Sequence, residues 1–274
     1  MVRLVLEGGS FRGLYTAGIL DVFMDNNIEI DEIVGVSAGA LFGVNYYSKQ
    51  RGRVIRYNKK YCGDKRFMSI RSLIFTGNYI NKNFAYYKVT KKLDPFDEET
   101  FKKNNKKFYA VVTNVETGKP EYLKIKKPIE DIEKLRATSA IPLVSKIIKV
   151  NGKKYLDGGI SDSIPIFYNK DKYEKNIIIL TQMKGYKKDA ISKSKERLIK
   201  FKYKKYPKLI ETMLNRYKKY NETLKQIEEL EENGEVFVFR PNKKLDIKLS
   251  ESNPEKFEEI YNVGVKVAKQ NIIN

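Results

Sequence analysis

Hydrophobic positions divide the chain into short elements. Residues 2–6 (VRLVL) are a nearly unbroken apolar run, the pattern of a strand buried on both faces. Leu14, Ala17, Gly18, Leu20, Asp21 and Met24 then recur at helical spacing, and Asn26-Asn27 ends that helix. A second strand pattern at residues 32–36 runs into a helix-prone stretch at 38–47. Strand, glycine-rich loop, helix, strand and helix in this order predict a parallel βαβ unit, which takes its ligands at the carboxyl ends of the strands.

Residues 51–75 read as basic and helical, broken at Gly63-Asp64 and Gly77-Asn78, and form a cap or flank. Asp94-Pro95-Phe96-Asp97 opens a short helix. Alternation at 108–115 and 120–125 predicts a hairpin around Glu116-Thr117-Gly118-Lys119, followed by a helix over 128–137. Asn151-Gly152 is the strongest hairpin signal in the chain, and the strand after it leads directly into Asp157-Gly158-Gly159. A helix near 164–168, a central strand at 177–180, a last strand at 235–239 and a closing helix over 254–271 complete the pattern. Ile199, Tyr203, Tyr206, Ile210, Met213 and Tyr217 trace one helical face across Pro207, more often a packing surface than a membrane face. No repeat or Gly/Ser/Pro-rich linker interrupts. The expectation is one α/β domain over 1–274, a largely parallel sheet flanked by helices, with a basic helical region from about 190 to 274 packed on it.

Composition narrows the chemistry sharply. With no histidine among 274 residues, Ser-His-Asp triads, Cys-His dyads and histidine zinc or haem sites are excluded. The single cysteine, Cys62, rules out an intramolecular disulfide and a thiolate metal cluster, so no metal is expected. The N-terminus lacks a signal-peptide pattern and no apolar run is long enough to span a bilayer, which predicts a cytoplasmic protein. A net charge of +20 suits an anionic partner, and basic stretches at 102–107 and 192–208 are candidates for peripheral contact with an anionic membrane. Lysine, Asn, Ile and Tyr are all abundant, as a coding bias alone would make them. Arginine-rich, RNP-like and zinc-finger motifs are missing, so no specific nucleic acid is expected.

Two glycine-rich turns hold the candidate chemistry. Gly35-Val36-Ser37-Ala38-Gly39 is a G-x-S-x-G elbow, in which small residues let the backbone bend so that Ser37 projects above its strand. Gly8-Gly9-Ser10-Phe11-Arg12-Gly13 has the end spacing of a P-loop but continues with Leu14-Tyr15 where Lys and Ser or Thr are required. The dinucleotide fingerprint fails at Ser10 and Phe11. An oxyanion hole fits better, and plain strand-on-helix packing would leave Arg12 unexplained. Any base for Ser37 must be a residue other than histidine. Asp157 and Asp162 are candidates, Asp157 also reading as a turn aspartate, and Ser192 and Lys195 satisfy S-x-x-K without a partner motif.

The glycine loop, the elbow and Asp157-Gly158, in this order and spacing, resemble the patatin-like phospholipases, as does Ala137-Thr138-Ser139-Ala140-Ile141-Pro142 ahead of the acidic motif. The resemblance covers the first two thirds of the chain and ends near Lys187. It implies a three-layer α/β/α fold with Ser37 as nucleophile, Asp157 as its sole partner, and an oxyanion hole from the amides of Gly8 to Gly13 with Arg12 adding charge. It also implies a serine acyl-ester hydrolase, of phospholipase A or lysophospholipase type, acting on phospholipid or other fatty-acyl esters without metal or organic cofactor. An acyltransferase on the same fold, or a non-catalytic basic protein binding lipid or nucleic acid, are the alternatives. One departure is Ser10, where many members have a third glycine; positive φ there would strain Ser10 and still leave its amide free to donate.

Overall fold

The computed structural model describes residues 1–272; Ile273 and Asn274, included in the expected domain, lie outside the described residues. Eight strands form one mixed sheet: β1 (Val2–Leu6), β2 (Glu32–Val36), β3 (Lys107–Asn114), β4 (Pro120–Ile125), β5 (Ile148–Val150), β6 (Lys153–Asp157), β7 (Lys175–Ile179) and β8 (Phe237–Phe239). Their order is β5-β6-β3-β2-β1-β7-β8, with β4 also on β3. Pairing is parallel from β3 through β2, β1 and β7 to β8, as the βαβ pattern predicts, and antiparallel where β4, β5 and β6 join.

One consequence of register governs the site. At Val112 and Thr113 of β3, β4 occupies one edge and β6 the other. Over Phe108 to Val111, β4 again holds one edge and β2 the opposite one. So β2 and β6 lie end to end along the same edge of β3. The last residue of β2, Val36, faces Val111, and the last residue of β6, Asp157, faces Val112.

Side chains alternate across the sheet, and the helices cover both faces. Leu4 and Leu6 enter a core with helix α1 (Gly13–Asp25) and with Phe257 and Ile260, whereas Val5 between them packs with Ile178, Tyr220 and Ile227. Among the described residues the other α-helices are α2 (Ala38–Tyr47), α3 (Arg53–Tyr61), α4 (Ile70–Thr76), α5 (Glu98–Lys103), α6 (Ile132–Thr138), α7 (Lys193–Lys202), α8 (Pro207–Glu232) and α9 (Pro254–Ile272). Tyr220 and Ile227 belong to α8, Phe257 and Ile260 to α9. The C-terminal helices therefore sit on opposite faces of the sheet. Helices α1 and α9 approach so closely that a methyl group on Gly264 would stand 2.0 Å from the Tyr15 carbonyl oxygen.

Three local expectations change. Residues 164–168 form turns rather than a helix: Pro165 interrupts them, and the buried Arg3 guanidinium takes the carbonyls of Ile166 and Tyr168 that a helix would use. The apolar face across Pro207 is carried by two helices, because the proline occupies the first position of α8. Its Ile199, Tyr203 and Met213 are buried together with Leu156 and Val112, so that face is packed. Third, the pattern predicts nothing over 79–93, where Lys82–Leu93 form a π-helix capped by the Asn81 side chain.

Gly264→Ala drives a Cβ into backbone that cannot yield without parting α1 from α9. It is expected to cost about 1–3 kcal/mol, measured as a shift in the urea midpoint at unchanged m-value.

Candidate functional site

The chain leaves β2 at Val36 and turns at Ser37 with φ 53° and ψ −121°, a conformation that a residue with a side chain adopts only under constraint, at about 1–3 kcal/mol. The constraint is visible. The Ser37 amide donates to Thr138 Oγ1 at 2.9 Å, and the Thr138 hydroxyl donates onward to the Val111 carbonyl. Helix α2 starts immediately, pressed against the sheet: a Cβ on Gly35 would be 2.7 Å from Ala40 Cα, and one on Gly39 2.7 Å from the Leu6 and Glu7 carbonyl oxygens. The two elbow glycines are therefore required by close backbone approach.

Asp157 arrives from the abutting strand. The Ser37 hydroxyl donates to Asp157 Oδ2 at 2.7 Å, across 120 residues of sequence. Every other group of that aspartate is also held: Oδ1 accepts from the Gly159 amide at 2.7 Å, the Asp157 amide donates to the Ala140 carbonyl at 3.0 Å, and its carbonyl accepts from the Thr113 hydroxyl at 2.8 Å. Gly158 is pinned beneath it, since a Cβ there would lie 2.2 Å from the Val111 carbonyl oxygen. Both members of the pair are only 8% exposed. Burial pushes the Asp157 carboxyl above the ordinary aspartate range, opposed by the bonds from Ser37 and the Gly159 amide and by the charge of Arg216 on α8. The result is a stronger base than a free aspartate.

The rival residues have other partners. Asp162 accepts from the Tyr122 hydroxyl at 2.7 Å and does not share a cavity with Ser37. Ser192 caps α7, its hydroxyl accepting from the Lys195 amide, so the S-x-x-K spacing is a helix start.

In the glycine loop, Ser10 has φ 52°, the positive value at which its side chain carries strain. The amide of Arg12 bonds to the Gly9 carbonyl and that of Gly13 to the Ser10 and Phe11 carbonyls, which removes both from the expected set of oxyanion donors. The amides of Gly8, Gly9, Ser10 and Phe11 have no acceptor among the described residues, nor has that of Ala38 just after Ser37. Just before the loop, the buried Glu7 carboxylate accepts from the Thr181 hydroxyl at 3.0 Å and from the Tyr220 hydroxyl of α8 at 2.6 Å.

Ser37 lines two cavities. One, of about 130 Å³, has apolar walls that include Phe11, Leu41, Phe42, Val89 and Leu135. The second, of about 240 Å³, contains Gly8, Gly9, Ser10 and Asp157, with Arg12, Lys195 and Arg216. Thr113, Thr138 and Arg216 were not singled out from the sequence as site residues. Only Thr138 had a signal, its place in the Ala137 to Pro142 stretch.

A strand, a strained serine turn and a helix, closed by a buried acid and flanked by a glycine loop, define an α/β protein with a strand–turn–helix elbow at Ser37. The patatin-like phospholipase family model matches residues 4–169, more than half of the chain, and the chain belongs to that family. A domain of unknown function (DUF6363) matches residues 206–273, which take in α8, β8 and α9. The uncharacterized protein YjjU of Escherichia coli (strain K12) is 30% identical over 185 residues, 65% of this chain and 51% of its own length, so the chain spans about half of that curated relative. The probable lipid hydrolase 463L of Invertebrate iridescent virus 6 is 25% identical over 211 residues, 68% of this chain and 72% of its own. The crystal structure of VipD from Legionella pneumophila aligns with 98% of this chain and 66% of its own at TM-score 0.46 and 12% identity.

A carboxyl with a raised folded-state pKa binds its proton more tightly in the folded chain than in the unfolded one. Its contribution to stability therefore falls as pH rises through the unfolded value toward the folded one, and stays low above both. Asp157→Asn removes that cost and is expected to melt no lower than wild type at pH 7 in a calorimetric scan.

Proposed function

We propose that the chain is a serine lipid acyl hydrolase of phospholipase A or lysophospholipase type, with Ser37 and Asp157 as its catalytic dyad. The observation that carries this reading is the 2.7 Å bond from a strained serine hydroxyl to a buried carboxylate, at the junction of an apolar and a polar cavity. Asp157 takes the Ser37 proton as Oγ attacks the ester carbonyl. Negative charge developing on the carbonyl oxygen is met by the free amides of the glycine loop and of Ala38, donors that are typically worth a few kcal/mol each at the transition state. The protonated Asp157 then returns the proton to the departing alkoxide. Water, deprotonated by the same carboxylate, attacks the acyl-serine and frees Ser37. The apolar cavity receives the acyl chain. In this reading the chain acts as a single unit, supported by β8 in the sheet and by Tyr220 of α8 on Glu7.

Two surface features support peripheral contact with a lipid surface. Helix α4, which rises between the cavity residues Met68 and Ile80, exposes Ile70, Ile74 and Phe75, and α7 exposes Leu198 and Phe201. Both flank residues 143–146: the Tyr79 amide donates to the Val144 carbonyl at 2.9 Å, and Lys202 Nζ to the Leu143 carbonyl at 3.1 Å. The stretch at 102–107 is not part of the proposed surface. Lys107 pairs with the first residue of β2, about 17 Å along the strand from Ser37, and Lys102 and Lys106 are engaged by Glu99 and Asp31. Among the described residues no helix is long and apolar enough to cross a membrane.

A fluorophosphonate probe is expected to label wild type and leave Ser37→Ala unlabelled; equal labelling of both would refute the dyad. Asp157→Asn should lower turnover about 10²–10⁴-fold with an unchanged circular dichroism spectrum. The acid limb of kcat/KM should have its midpoint above the ordinary aspartate range, and Arg216→Ala, which removes a cation favouring the carboxylate, should move it higher still. Vesicle co-sedimentation tests the surface: Phe75→Asp combined with Phe201→Asp should release protein from anionic vesicles while leaving hydrolysis of a monomeric ester intact.

A further inference from the structure

The second cavity beside Ser37 is cationic and unpaired. Arg12 comes from the glycine loop, and Lys195 and Arg216 from the consecutive helices α7 and α8 far along the chain, yet their side chains line one space. None of the three side chains makes an ion pair or a hydrogen bond among the described residues, and Arg12 Nε is buried without any partner. Lys188 is close enough to feel their charge, with its Nζ 4.3 Å from the centre of the Tyr220 ring. Burial and the facing charges of Arg216, Arg12 and Lys195 push Lys188 down to about 8, against the attraction of Glu7. Elsewhere on this basic chain many lysines and arginines do meet acids, as Arg51, Arg56, Lys106 and Lys154 do. Here the one carboxylate in the lining is Asp157, already engaged by Ser37 and the Gly159 amide.

Resting on the hydrolase reading above, we propose that this cavity binds the phosphate of the lipid headgroup and selects anionic headgroups over zwitterionic ones. Guanidinium and ammonium donors converging on one space are the arrangement that a phosphate oxygen cluster takes. Position agrees with this. When an ester carbonyl sits at Ser37 with its acyl chain in the apolar cavity, the glycerol backbone and the phosphate it carries extend into the cavity on the other side of the serine. The selection follows from what is missing. A choline or ethanolamine group needs an acid or an aromatic face to receive its positive charge, and the lining has neither a second carboxylate nor an aromatic ring. A phosphomonoester or glycerol headgroup brings only negative charge and hydroxyls.

The test compares kcat/KM on three short-chain, monomeric substrates with the same acyl group: a lysolipid ending in a phosphomonoester, its choline ester, and the uncharged monoacylglycerol. Wild type should favour the phosphomonoester over the choline ester by about tenfold or more. Lys195→Gln with Arg216→Gln should erase most of that preference, and Lys195→Arg with Arg216→Lys should retain it. Equal kcat/KM on all three lipids, or a preference untouched by the double substitution, would overturn the proposal. If inorganic phosphate inhibits wild type without any headgroup preference appearing, the cavity takes a free anion and the lipid assignment falls. Failure of the hydrolase reading is separately visible, as the absence of Ser37-dependent cleavage of the monoacylglycerol.

Discussion

Everything at the site depends on two strands sharing one edge of a third. β3 is long enough to pair with β2 along its first half and with β6 along its second, both on the side away from β4. The end of β2 therefore meets the end of β6, and the residues there are Ser37 and Asp157. Backbone hydrogen bonds fix this meeting to within a residue, because a slip of one position would turn Asp157 to the opposite face of the sheet. The surrounding polar contacts refine the result. Thr138 holds the Ser37 amide, Thr113 holds the Asp157 carbonyl, and Gly158 lets the turn lie flat on Val111.

Electrostatics follow from that geometry. An ordinary aspartate holds its proton weakly, and the chain has no histidine. Burying Asp157 makes its carboxyl hold a proton more tightly, while Arg216 and the Gly159 amide keep the buried charge tolerable. The same α8 that brings Arg216 also supplies Tyr220 to the buried Glu7, at the foot of the glycine loop. One C-terminal helix thus touches both the acid half and the loop half of the site, although it lies outside the 4–169 span of the family match.

Features set by neighbouring residues were legible in the sequence. The elbow, the Asn151-Gly152 hairpin, Asp157-Gly158 and the opening βαβ unit each rest on local sterics or on periodicity within a dozen residues. Features set by distant partners were hidden. Residues 164–168 follow a helical pattern, yet their carbonyls belong to Arg3, more than 160 positions away. The π-helix at Lys82–Leu93 has no period that a 3.6-residue template detects. Which loop amides stay free depends on the tight turn at Ser10 to Arg12, and its glycines alone do not reveal it. Arg216 is one cation among 54, singled out only when α8 crosses the sheet.

The end-to-end arrangement of β2 and β6 also has a temporal side. Ser37 lies in the first βαβ unit, whose contacts are comparatively local, whereas Asp157 joins it only after a further 120 residues have been made and the β5–β6 hairpin has docked on β3. During synthesis Ser37 emerges long before its hydrogen-bond partner. A chain that stops short of β6 holds Ser37 without the carboxylate that accepts its hydroxyl, so the Ser37–Asp157 bond arises only together with the completed topology.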